Sequence, residues 1–186
     1  MNIGTGRTHD SSESTSDGGT GSSRLTRTAR QALALLRIAF GLTFLWAFLD
    51  KLVGLGYSTE SGDSWLHGGS PTAGFLTFGS KGPFKGFYNS IAGDAWVDVL
   101  FMVALLALGI ALTLGIGVRL AGVGGAVLYV LMWTVALPPE TNPVIDEHVL
   151  GAISLAVLAL TPAGDTWGLG KAWSRIPLVE KYPILR

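Results

Sequence analysis

Four apolar stretches, each of roughly the length that a bilayer-spanning helix needs, constrain the fold of this chain more than any other feature. They cover about residues 31–52, 95–114, 118–137 and 144–162. At 1.5 Å per residue, a helix of this length spans roughly 30 Å of hydrocarbon. A segment in lipid must satisfy its own backbone hydrogen bonds, which favours helices. We therefore predict an all-α integral membrane protein, folded as a four-transmembrane-helix bundle in the lipid bilayer.

The remaining residues divide into a tail, a long linker and a C-terminal segment. Residues 1–27 are rich in Ser, Thr and Gly, and this composition is typical of a disordered tail. Residues 28–170 form the predicted transmembrane domain, and residues 171–186 follow it. The linker 56–93 interleaves aromatic residues with Gly, Ser and Lys, which predicts short interfacial helices between helices one and two. It is either a lid over the bundle or a passive anchor.

The positions of Lys and Arg near the helix ends predict the orientation. The side that carries the termini and the turn 115–118 is rich in basic residues, whereas the other side is mainly acidic. We therefore expect both termini to be cytoplasmic in a multi-pass protein. The basic residues on that side are Arg24, Arg27, Arg30, Arg119, Lys171, Arg175, Lys181 and Arg186.

Composition excludes several classes of chemistry. The chain has no cysteine, so it has no disulfide, no thiol nucleophile and no covalently attached haem. A formal net charge of zero gives no reason to expect a nucleic-acid partner. Phosphate-binding loops, nucleophile elbows and helical zinc-binding histidine pairs are missing from the sequence. We predict no metal site and no covalently bound cofactor.

Ionisable residues within apolar segments are costly and are therefore candidates for function. Arg37 lies seven residues after Arg30, roughly 10 Å into the bilayer by helical rise. It either contacts an anion or a quinone oxygen inside the bundle, or extends back to the headgroups. Asp50 and Lys51 end the first segment, and Lys51 shares a helix face with Arg37. They are either ligand contacts or a terminal ion pair.

Two further residues complete the predicted ligand site. Asp98 follows Asp94 by four residues at the start of the second segment, so the two carboxylates share one helix face. Acidic residues there are also favoured by the helix dipole alone. Trp46 lies at similar depth and is either part of the site or an interfacial belt residue. The candidate ligand- or quinone-binding residues are Arg37, Trp46, Asp50, Lys51 and Asp98.

The densest polar cluster precedes the fourth segment, at residues 138–148. We expect Asn142 to cap this helix. His148 is the side chain best suited to proton exchange near neutral pH, and Asp146 or Glu140 beside it could tune that exchange. The other interpretation is a histidine hydrogen-bonded inside the bundle. His148, Asp146 and Glu140 are the candidate catalytic residues, in a polar pocket at the outer helix ends beneath the linker 56–93.

Several stretches together resemble the DoxX family, and most closely its actinobacterial branch related to the DoxD membrane subunit of thiosulfate:quinone oxidoreductase. The stretches are LLRI at 35–38 with FLWAFLDKL at 44–52, WLHGGSPT at 65–72, LPPETNPVIDEH at 137–148 and GDTWGLG at 164–170. The resemblance implies a four-helix bundle in the plasma membrane that passes electrons from a sulfur compound to membrane quinone, its substrate. It carries over no catalytic residue.

Two functional hypotheses follow. The first is a membrane subunit of a quinone-linked thiosulfate oxidoreductase that works with a second oxidoreductase subunit. The second is a non-enzymatic assembly partner or small-ligand carrier, which the small size of the chain and its lack of redox-cofactor motifs favour. A homo-oligomer is compatible with both hypotheses.

Overall fold

The computed structural model describes residues 25–140 and 142–186, and over these residues the chain is helical without β-strands. In chain order the α-helices are α1 (Arg27–Val53), α2 (Lys85–Ile91), α3 (Ala95–Leu114), α4 (Val118–Ala136), α5 (Glu147–Ala159), α6 (Gly170–Trp173) and α7 (Pro177–Lys181). The prediction of an all-α fold is confirmed for this part of the chain. The predicted disorder of residues 1–27 falls mostly on residues 1–24, which lie outside the described residues.

Three of these helices are long and apolar enough to cross a membrane. They are α1, α3 and α4, with mean hydropathies of 2.0, 2.5 and 1.6 over their most apolar windows. The helix α5 has 13 residues and is therefore about 20 Å long, short of a typical hydrocarbon core. The structure thus supports a membrane protein with three candidate spans, and the fourth span remains a prediction.

The ends of the long helices follow from local sequence. Gly115 and Gly117 have φ values of 74° and 55°, and the turn between them joins α3 to α4 as a tight hairpin. The prediction that Asn142 caps the fourth helix is wrong. Its Oδ1 instead accepts hydrogen bonds from the amides of Val144 and Ile145, and this turn delays the helix until Glu147.

The four longest described helices pack as two close pairs, α1 with α3 and α4 with α5, and this packed group is called the bundle. Glycine permits the close approach in both pairs. A Cβ on Gly109 would lie 2.7 Å from the side chain of Leu45, and a Cβ on Gly122 would lie 2.7 Å from the carbonyl oxygen of Leu155. The core between the pairs contains the fully buried Leu112 and Leu155.

The linker 56–93 and the C-terminal segment cover opposite ends of the bundle. In the linker, the Lys81 amide donates to the carbonyl oxygen of Val135 at 3.1 Å. At the other end the chain terminus returns to α4, where the Arg119 amide donates to the carbonyl oxygen of Arg186 at 2.7 Å. The linker therefore lies at the end formed by the start of α3 and the end of α4.

Candidate functional site

An Asp–His pair lies at the start of α5. Nδ1 of His148 lies 2.8 Å from Oδ2 of Asp146, and the two side chains are 12% and 6% exposed. Asp146 is the N-cap of α5, and its Oδ1 accepts the backbone amides of His148 and Val149. One carboxylate thus fixes both the helix start and the imidazole ring. Because Nδ1 faces the carboxylate, Nε2 is the nitrogen left for exchange with a ligand.

Aromatic rings adjoin this pair within the bundle. The ring of Tyr129 on α4 lies 6.1 Å from the imidazole of His148, centroid to centroid. The rings of Phe40 and Phe44 on α1 each lie 6.0 Å from Tyr129 in edge-on geometry. Gly151 makes room for the phenol, since a Cβ there would lie 2.5 Å from the Tyr129 ring. The acid–base pair thus adjoins three aromatic rings that pack together in the hydrophobic core.

Tyr129 is not among the site residues that were predicted from the sequence. Its signal was available, because it is the one tyrosine within the four apolar stretches. A phenol in an apolar helix needs a partner for its polar end, which is a reason to look for a polar site beside it.

A metal ion is chemically conceivable at the start of α5, where ligand atoms of Asp146, Glu147 and His148 lie within 4.8 Å of one another. Both oxygens of Asp146 already accept hydrogen bonds, from two helix amides and from the imidazole. A cation bound there would compete with those contacts for the Asp146 oxygens. We therefore assign no metal to this cluster.

The third candidate catalytic residue, Glu140, is held by a different partner. Its Oε1 lies 2.5 Å from Nζ of Lys81 in the linker. The hydrogen bond and the charge of Lys81 lower the pKa of the Glu140 carboxyl below its ordinary value. Both side chains are largely exposed, so this ion pair connects the linker to the 137–146 segment at the surface.

Asp98 holds the linker against α3. Its Oδ1 accepts hydrogen bonds from Oγ of Ser70 at 2.9 Å and from Oγ1 and the amide of Thr72 at 2.6 and 3.1 Å. The side chain is buried, with an exposed fraction of 5%. These contacts make Asp98 the point where the middle of the linker is fixed to the bundle.

Asp50, Lys51 and Trp46 lie at the same end of the bundle, on α1. The carboxylate of the buried Asp50 accepts the amides of Tyr57 and Ser58 and the hydroxyl of Ser58, so it orders the turn that follows α1. Lys51 is half-buried. The exposed indole of Trp46 packs edge-on against Tyr57 at 5.1 Å.

Arg37 lies at the opposite end of the bundle and is fully buried. Its guanidinium donates to the carbonyl oxygens of Leu112 and Thr113 at the end of α3. It also donates to the carbonyl oxygens of Ala163, Thr166 and Trp167 after α5. A guanidinium has five N–H donors, and five carbonyls receive them. Arg37 therefore joins α1, α3 and the 162–168 segment.

The structure thus brings together only part of the predicted pocket. Asp146 and His148 are in direct contact, whereas Asp50 and Asp98 are each bonded to the linker and Arg37 is remote from all of them. At the end of the bundle near the linker, Asp50 and Asp98 therefore hold the linker in place. Asp146 and His148 form the acid–base pair at that end.

Comparisons with protein-family models, with characterised proteins and with solved structures found no match to this chain. The class that the fold itself defines is an all-helical protein with three candidate membrane-spanning helices. The resemblance to the DoxX family remains a prediction from the sequence.

Proposed function

We propose that this chain is the membrane subunit of a quinone-linked oxidoreductase, in which His148 and Asp146 exchange protons with the quinone. The observation that carries the proposal is the 2.8 Å contact between these two side chains, both nearly buried beside aromatic rings. A carboxylate that holds Nδ1 stabilises the imidazolium and leaves Nε2 to give or take the proton. Aromatic side chains are common in small-molecule sites that hold flat, mainly apolar ligands.

The electron balance requires a partner. Reduction of a quinone to a quinol takes two electrons and two protons. Oxidation of two thiosulfate ions to tetrathionate forms one S–S bond and supplies the two electrons. The chain has no cysteine to ligate an iron–sulfur cluster, so the electrons are expected to arrive from a second subunit. His148 would give the two protons one at a time from Nε2 and would recover each from the aqueous side before the next transfer. Thiosulfate as donor rests on the DoxX resemblance alone.

The test is quinone-dependent thiosulfate oxidation by the full chain purified with its partner. His148→Gln should lower the rate roughly 100-fold or more, because general acid–base groups contribute about that factor. His67→Gln is the matched control, since His67 lies in the linker and its Nδ1 contacts Ser64. Full activity in a folded His148→Gln variant would contradict the proton role, and equal losses in both variants would show a general effect.

A non-enzymatic role as an assembly partner or small-ligand carrier is the second candidate. It is favoured by the use of Arg37, Asp50 and Asp98 in internal contacts, which leaves one acid–base pair for chemistry. Native mass spectrometry separates the two. Co-purified quinone that is lost in His148→Gln supports the oxidoreductase, whereas a stable partner complex without quinone supports the alternative.

A further inference from the structure

A pocket opens at the end of the bundle opposite His148. It measures about 340 Å³ and lies between the first turns of α1 and the segment 165–171. Three basic side chains border it, from Arg27, Arg30 and Lys171. Its remaining lining residues are Gln31, Asp165, Thr166 and Trp167. The pocket therefore combines a net positive charge with hydroxyl and amide groups.

The wall of this pocket has a fixed backbone. Trp167 has a φ of 50°, and it is the one non-glycine residue with a positive φ in the described ranges 25–140 and 142–186. This conformation is uncommon for a bulky residue and persists where surrounding contacts hold it. Here Nη2 of Arg37 donates to the carbonyl oxygens of Thr166 and Trp167 at 3.3 and 3.0 Å. The buried guanidinium thus holds the wall while the indole of Trp167 stays 55% exposed at the rim.

The depth of the pocket matches that of phospholipid headgroups. The helix α1 has 27 residues and is therefore about 40 Å long, whereas the hydrocarbon core is about 30 Å thick. Because the apolar stretch begins at about residue 31, the hydrocarbon is expected to start there, which leaves the first turn of α1, with Arg27 and Arg30, beyond it. Tryptophan is enriched at the same depth, where Trp167 lies at the rim of the pocket.

The described part of this end of the molecule is positively charged. Among the described residues at this end, the exposed cations outnumber the two carboxylates, Asp165 and Glu180. Such a field attracts anionic groups and raises their local concentration. The cations are Arg27, Arg30, Arg119, Lys171, Arg175, Lys181 and Arg186.

We propose that this pocket binds an anionic phosphate group between Arg27, Arg30 and Lys171, and that the phosphate belongs to a phospholipid headgroup. Arginine presents paired N–H donors to phosphate oxygens, and lysine adds a point charge. Gln31 and Thr166 supply further donors within the pocket. The site is separate from the Asp146–His148 pair and does not depend on the chemistry proposed there.

The test uses the full chain in neutral detergent and native mass spectrometry. Bound phosphatidylglycerol is compared with bound phosphatidylcholine in the unmodified chain, in Arg30→Gln/Lys171→Gln and in Arg175→Gln/Lys181→Gln. The two double variants remove the same charges from the same end, but only the first alters the pocket. The pocket variant should lose roughly tenfold in phosphatidylglycerol affinity, equivalent to about 1.4 kcal/mol, while the control retains it.

A second arm identifies the source of the phosphate. Inorganic phosphate is added to lipid-free protein and thermal unfolding is followed. Stabilisation that disappears in the pocket variant alone supports the anion site, and together with no preference for phosphatidylglycerol over phosphatidylcholine it assigns the site to soluble phosphate. Equal loss of phosphatidylglycerol in both double variants, or no loss in either, would overturn the proposal.

Discussion

Thr72 in the linker and Asp98 on α3 are joined by two hydrogen bonds to a single carboxylate oxygen, from the hydroxyl at 2.6 Å and from the amide at 3.1 Å. Because Asp98 is buried, the bonds replace contacts with water that the carboxylate has lost. They connect residues 26 positions apart and determine where the linker lies.

The first prediction concerns this connection. Asp98→Ala leaves the hydroxyl and amide of Thr72 without their acceptor, and hydrogen bonds to a charged group are worth about 1.5–3 kcal/mol. We expect faster proteolysis and faster amide exchange within residues 56–93, and a lower melting temperature. Asp94→Ala is the control, since Asp94 is exposed and its carboxylate contacts only Trp96 among the described residues. Equal protection of the linker in both variants would contradict the role of Asp98.

The second prediction concerns Arg37. Arg37→Lys keeps the charge but offers three donors in place of five, so carbonyls of α3 and of the 162–168 segment lose their partners. We expect a loss of roughly 3 kcal/mol or more in unfolding free energy, because each buried polar group left unpaired costs about 1–3 kcal/mol. Thermal unfolding in detergent measures it. Arg30→Lys, an exposed change of the same kind, should leave the melting temperature unchanged. Equal melting temperatures for Arg37→Lys and Arg30→Lys would rule out the role of Arg37 in joining α1, α3 and the 162–168 segment.

The third prediction concerns the contact of α4 with α5. A Cβ on Gly122 would lie 2.7 Å from the carbonyl oxygen of Leu155 and 2.9 Å from the amide of Ala159, and backbone atoms cannot easily move away. We expect Gly122→Ala to destabilise the bundle by about 1–3 kcal/mol. Gly124→Ala on the same helix meets its nearest atom at 3.6 Å, so it should be neutral or slightly stabilising. Thermal unfolding of the two variants compares them directly, and the reverse order would show that α4 packs differently.

A feature of the fold could be predicted from the sequence when the residues that determine it lie close together in the chain. The bounds of α3 agree with the predicted segment 95–114 because hydropathy over about twenty residues is a local property. The position of Arg37 inside the first apolar stretch was equally readable from the sequence. Its acceptors were not, since they lie 75 to 130 residues away and are backbone carbonyls, which any residue type can supply.

The sequence predicted that Asp146 and His148 belong to one polar cluster, but it did not predict the geometry of their contact. Two residues apart on a helix, the side chains would point to different faces. The pair forms because Asp146 precedes the helix in an extended conformation, with φ −130° and ψ −170°, so its carboxylate turns back over the first turn. A helix capped by Asn142 would have excluded this contact, and the error in the predicted cap therefore concealed the pair.

The last prediction concerns whether α5 crosses the membrane. The helix is about 20 Å long, so crossing requires that the segments flanking it, or a locally thinned bilayer, supply the remaining depth. The basic residues after α5 and the acidic residues before it predict that its two ends lie on opposite sides, with residue 142 outside.

The chain has no cysteine, so single cysteines can be placed without background. An impermeant maleimide should label Asn142→Cys but not Ala172→Cys in intact cells, and both after permeabilisation, since both positions are exposed. Labelling of both in intact cells would make α5 re-entrant and leave three spans. Labelling of Ala172→Cys alone would reverse the orientation and place the Asp146–His148 pair on the cytoplasmic side.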